Sequence, residues 1–286
     1  MKTYLKIFIA SFSLTFFGIS CNNSNDDQLD SNTINNINSV DVNNYISRRA
    51  NVACDIVLND DNPYNFVGKV HNEILSTYLN EYSDNITDIS IIIKRVDELG
   101  NKNSNFLDVK DTNYMIPSSD LIKNGALDFD NQFSNVISDL NISNNAKSKL
   151  SELINYFFSK TEQAKSPSFE DVDNYFISFE KEVLVNTNFD DNDRRVLLSS
   201  VSTARFSSCF WYNYFEVEHY DYALFDDSKP KRPWWAWLIV GASDVVGAAV
   251  GSIPATATAG VAGATIITTA VSASTTAYTL TNPNNK

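Results

Sequence analysis

From Trp234 to Asn285 the chain carries a single charged residue, Asp244, and is dominated by Ala, Gly, Thr, Ser and Val. A segment of this kind has few ways to fold. It can enter lipid, pack on the rest of the chain or on a second copy, or remain as an aggregation-prone end. Pro254 divides it into two arms. The first, 234–253, is twenty residues, about the length of a bilayer-spanning helix. It holds Gly247 and Gly251, the four-residue spacing that lets two helices approach closely. The second, 255–280, repeats small residues around Gly260 and Gly263. The expected shape is a small-residue helical hairpin. Trp234, Trp235 and Trp237 behind Lys231 and Arg232 suit a membrane interface.

Three observations oppose insertion. Asp244 near the middle of the first arm costs about 2.5–3.5 kcal/mol in a bilayer. The second arm is rich in Thr and Ser and only weakly apolar. A strongly apolar segment would also be stopped in the inner membrane if the chain is exported. The run Ile266–Val271 has strand propensity as well. Packing on the body or a second copy, insertion, and a disordered or aggregating end all remain open on the sequence. The arm composition resembles the Gly/Ala hairpins of some bacteriocin-like and pore-forming proteins.

The opposite end carries an export layout. Lys2 and Lys6 precede an apolar run from Ile7 to Phe17, then Gly18-Ile19-Ser20 ahead of Cys21. This resembles a bacterial lipoprotein signal, which implies removal of residues 1–20 and acylation of Cys21. The alternative is an ordinary signal peptide with a chance cysteine. Acyl chains would supply membrane affinity at roughly 0.8 kcal/mol per buried methylene. Residues 21–44, rich in Asn, Ser and Asp, read as a flexible acidic tether. Asp26 and Asp27 resemble the acidic surface-export signal of lipoproteins of Bacteroidetes, or reflect only the acidity of the chain.

Residues 45–217 have helical periodicity almost throughout. Asn62-Pro63 predicts a cap and first helical position before Phe66, Val67, Val70, Ile74, Leu75 and Tyr78. Ile89–Val96 predicts a second helix ending near Gly100. Residues 101–105 read as a loop, and Ser118 or Ser119 starts a short helix. Further helices are expected around Phe129–Leu140 and Leu150–Phe158. Ser168 with Asp171 predicts a capping box, and Asp190 or Asp191 caps a run through Trp211. The expected fold class is all-α: a bundle of about six helices over 45–217, a linker at 218–233, and the hairpin over 234–281.

Chemistry-bearing residues are sparse. Gly68, His71 and Asn72 share one helix with Asn62-Pro63-Tyr64, a pattern similar to one in uncharacterised bacterial proteins that brings no activity with it. His71 sits at the edge of the apolar face, as a general base or as a satisfied core residue. Cys54 and Cys209 either pair as a disulfide or stay as separate buried thiols. Asp191-Asn192-Asp193 lacks the Gly and distal Glu of a calcium loop. No metal site and no cofactor are expected. A formal net charge of −13 argues against a nucleic-acid partner. The sequence therefore points to a lipid-anchored exported protein, not an enzyme, that binds a partner, its hairpin serving as interaction element or homo-oligomer contact. The alternative is a membrane-active protein that inserts the hairpin.

Overall fold

The computed structural model describes residues 56, 58–82, 86–126, 128, 131, 133–218, 233–252 and 263–281. The signal, Cys21, the tether, Cys54, most of the 218–233 linker and Pro254 lie outside the described residues. The fold is all-α. Ten α-helices occur among the described residues: α1 (Asn65–Glu81), α2 (Ile89–Gly100), α3 (Ser104–Val109), α4 (Ser119–Ala126), α5 (Ser134–Asp139), α6 (Asn144–Thr161), α7 (Phe169–Val185), α8 (Asp191–Tyr212), α9 (Ala236–Gly251) and α10 (Gly263–Leu280). A π-helical segment, Asn213–Glu218, continues α8 directly.

Local chemistry starts most of these helices where expected. Asp88 caps α2 by accepting from the Ser90 and Ile91 amides. Ser143 caps α6, and Asp190 caps α8 through the Asp193 amide. At α7 the Ser168 hydroxyl accepts from the Asp171 amide and donates to the Asp171 carboxylate.

Three starts differ from expectation. α1 begins at Asn65, not at Pro63. Asn62 is buried, accepts from the Tyr64 amide at 2.9 Å and donates to Glu180 Oε1. Its side chain serves the interior and makes a turn, so it does not cap the helix. Part of the expected 101–105 loop is the short helix α3, capped by Asn103 through the Phe106 amide. The helix expected across Phe133 starts only at Ser134, because Phe133 adopts φ 60° while its ring is fully buried. That left-handed backbone is unusual for a bulky residue and is held by burial of the ring.

The hairpin is the centre of the bundle. Every residue of α9 except Ile239 is buried, and so is every residue of α10 except Tyr278 and Leu280. α9 packs most extensively on α10 and on α8. Around this trio lie α1, α2, α4, α6 and α7, each with one buried face. Gly247 and Gly251 line the α9–α10 seam. A Cβ at Gly247 would lie 2.8 Å from Ala270 Cα, and one at Gly251 2.8 Å from Ile266 Cα. Glycine is therefore required there for the backbones to come this close.

Part of the polarity of α10 is satisfied within the helix itself, while the buried hydroxyls of Ser272, Thr275 and Thr276 have no hydrogen-bond partner among the described residues. Thr268, Thr269 and Thr279 donate to the carbonyls of Ala264, Thr265 and Thr275 at 2.9, 2.7 and 2.8 Å. Satisfied within their own helix, they leave methyl groups to pack outward. Among the described residues no helix is long and apolar enough to cross a membrane.

Candidate functional site

Three helices bring their polar side chains to one point in the interior. α1 contributes His71, α9 contributes Asp244, and α8 contributes Ser207 and Trp211. His71 and Asp244 are both fully buried, with His71 Nε2 3.9 Å from Asp244 Oδ2. The Ser207 hydroxyl donates to Asp244 Oδ2, and Trp211 Nε1 approaches the same oxygen at 3.2 Å. Trp211 Nε1 also lies 3.1 Å from Ser274 Oγ on α10. The hairpin carboxyl is thus tied to both its neighbours in the trio and faces the shell helix α1.

The imidazole has a defined orientation. Asn72 Nδ2 donates to the Phe206 carbonyl at 2.7 Å, which turns Asn72 Oδ1 toward His71 Nδ1 at 3.0 Å. Oδ1 can only accept, so Nδ1 carries the proton and Nε2 presents its lone pair to Asp244. Burial depresses the His71 pKa to about 4, against a smaller upward effect of the Asn72 hydrogen bond. Burial raises the Asp244 pKa to about 8, with Ser207, Ser274 and Trp211 opposing. Both groups are driven toward their neutral forms.

This is not a Ser–His–Asp relay. In such a relay the hydroxyl faces one imidazole nitrogen and the carboxylate the other. Here Ser207 binds the carboxyl directly and Asn72 occupies Nδ1, so neither imidazole nitrogen receives the hydroxyl.

Gly68, one turn before His71, sets the distance between α1 and α8. A Cβ there would fall 2.5 Å from the Ser202 carbonyl oxygen. Its amide donates to Ser202 Oγ at 3.2 Å, and Ser202 Oγ donates to the Asn65 carbonyl at 3.3 Å. The structure therefore brings Gly68, His71, Asn72 and Asp244 together, while Gly247 and Gly251 sit farther along α9 at the seam. Of the tryptophans, Trp237 is buried and donates to Ser166 Oγ at 3.2 Å, Trp234 is half-buried and Trp235 is exposed. Cys209 is buried, and Cys54 lies outside the described residues.

Sequence reasoning missed a second buried cluster. Arg205 of α8 pairs with Asp173 of α7 through Nε at 2.8 Å and Nη2 at 3.3 Å. Its Nη1 lies 3.5 Å from Glu180. Glu180, fully buried, also accepts from Asn62 and from Asn59 at 3.1 Å. The signal existed: Asp173 and Glu180 fall at helical spacing among Val172, Phe176, Phe179 and Val183, inside the apolar stripe.

A surface cleft of about 410 Å³ opens beside the start of α7, lined by Lys160, Lys165, Ser168, Asp171 and Tyr212 among others. Among the described residues, no three His, Cys, Asp or Glu side chains gather as a metal centre would need. No protein-family model, curated protein or solved structure matches the chain.

Proposed function

We propose that the protein is an exported, lipid-anchored protein that acts by binding, with a helical body that is complete in itself. The observation that supports this reading is the position of the apolar hairpin. α9 and α10 serve as the body's own core, so they are not displayed to a partner or a second copy in this state. Interaction then falls to the outer faces of the shell. Ile91, Leu107, Met115 and Ile116, between the start of α2 and the start of α4, are large apolar side chains left exposed. The Ser90 and Ser119 hydroxyls, 2.9 Å apart, join the ends of that segment. Ile91 and Leu107 lie on helices and Met115 and Ile116 on the stretch before α4, and exposed apolar groups of this kind are suited to a protein partner.

The anchor and the activity are tested together. Membrane-fraction partitioning of the wild type should be sensitive to globomycin, and Cys21→Ala should release the protein in folded, soluble form. That soluble variant should cause no dye leakage from liposomes. Retention of Cys21→Ala on the membrane would overturn the anchor, and leakage would overturn the binding reading.

A membrane-active role is the second reading, favoured by one observation. The only carboxyl on α9 and α10 is held toward its uncharged form, which lowers the cost of moving the hairpin into lipid. Truncation before the hairpin is no control for it, since that would remove the core. The comparison to make is leakage by Cys21→Ala with Asp244 intact and with Asp244→Leu; greater leakage from the second would favour insertion.

A further inference from the structure

We propose that the buried His71–Asp244 pair carries one titratable proton between them, and that keeping this pair uncharged holds the hairpin in the body. The inference rests on the geometry of the buried centre and is independent of what the protein binds.

Asn72 fixes the proton of His71 on Nδ1, and the Asn72 amide is itself fixed by the Phe206 carbonyl. Nε2 therefore turns its lone pair toward Asp244 Oδ2 across 3.9 Å, beyond hydrogen-bond distance, and it has no hydrogen-bond partner among the described residues. One proton, resting on the carboxyl, leaves both groups neutral. Removing it places an unopposed anion against a lone pair. Adding a second places a cation there. Both groups have zero exposure, so neither charge would be solvated.

Among the described residues, the surroundings present no counter-charge to the carboxyl. α8 presents Ser207 and Trp211 to the carboxyl, α10 presents Ser274, and α1 presents His71. Tyr278 stacks on Trp211 at 5.0 Å, and its hydroxyl is paired with that of Tyr214 at 3.0 Å. The guanidinium of Arg205 is engaged with Asp173 and Glu180. The charge state of the centre is thus left to the pair itself. Its two members sit on different layers, one in the shell and one in the hairpin.

The pH dependence has a definite form. Asp244 rises from 3.8 to about 8 on folding, and His71 falls from 6.5 to about 4. Between about pH 4 and 6.5 the folded chain keeps a proton on Asp244 that the unfolded chain gives up. Over the same range the unfolded chain takes a proton on His71 that the folded chain refuses. These effects cancel. From about pH 6.5 to 8 only Asp244 differs, so stability falls as pH rises, by about tenfold in the folding constant per pH unit.

The test is denaturant unfolding of the full-length mature protein across this range, with ¹⁵N resonances of His71 followed in the folded state. Wild type should show the alkaline fall. Asp244→Asn should lose it and instead gain stability from about pH 4 to 6.5, while His71→Gln should show a fall over the whole range from about pH 4 to 8. In the wild type the His71 imidazole should stay in its Nδ1–H form from about pH 5 to 7.5. An alkaline fall that persists in Asp244→Asn overturns the proposal. So does a His71 titration centred near its ordinary value, which decides the matter even where a variant does not fold.

Discussion

The shell helices and the central trio follow opposite rules of composition. α2 in the shell buries Ile92, Ile93, Val96 and Leu99 on one face and exposes Lys94 and Glu98 on the other. α9 and α10 have no outer face, and α8 has little of one. A one-faced helix is stabilised by large apolar side chains on its stripe. A helix enclosed on all sides must also fit neighbours at close range, and it does so with small residues and, at Ser243, Thr268, Thr269 and Thr279, with hydroxyls that bond their own backbone. In an interior of this kind, space and polar satisfaction decide more than apolar area does.

The largest effect should therefore come from space at the α9–α10 seam. Gly247→Leu forces a side chain where even a Cβ would lie 2.8 Å from backbone and 2.9 Å from Ala273 Cβ. Neither helix can move outward, because both are enclosed. We expect a loss of about 4 kcal/mol or more, against a few kcal/mol for an ordinary overpacked site. Urea unfolding or the yield of soluble protein would measure it. A loss below about 1 kcal/mol would mean that the trio is loosely packed and that its difference from the shell lies in composition alone.

The next effect tests polar satisfaction where trio meets shell. Arg205→Met removes the only cation that contacts Asp173 and Glu180 among the described residues. Two carboxylates of α7 are left buried against α8 without their cation, and breaking such a network typically costs about 3–5 kcal/mol. Adding Asp173→Asn and Glu180→Gln should recover part of that loss, since the charges then disappear with their partner. If the triple variant is no more stable than Arg205→Met, then lost packing of the arginine stem, not stranded charge, explains the effect.

The same contrast explains what was legible in the sequence. In the shell, apolar spacing and caps such as Asp88, Ser143, Ser168 and Asp190 act locally, so helix positions follow from neighbouring residues. The all-α class and the two arms of the hairpin were readable for that reason. The short helix α3 was less so, since a helix of six residues carries too little periodicity to register; α5 was expected, but its start at Ser134 was not. The meeting of His71 with Asp244 was not readable at all. It joins residues 173 positions apart, and it depends on where an uncharged segment is folded away. Composition leaves packing, insertion and a disordered end open; it does not say that the segment becomes the centre of its own body.

The smallest effect sharpens the boundary from the shell side. Gly125 of α4 faces α9, yet a Cβ there would meet nothing nearer than Val250 Cγ2 at 3.7 Å and Val246 Cγ1 at 3.9 Å, which is ordinary contact distance. Its backbone is helical, so alanine loses nothing in conformation and restricts the unfolded chain. Gly125→Ala should raise stability by about 0.5–1 kcal/mol, read as a shift in the urea midpoint at constant slope. The sign matters more than the size. A gain at Gly125 alongside a collapse at Gly247 would place the close-packing demand inside the trio, at the seam between its own helices. A loss at Gly125 would extend that demand to the shell, and α4 would then belong with the core it covers.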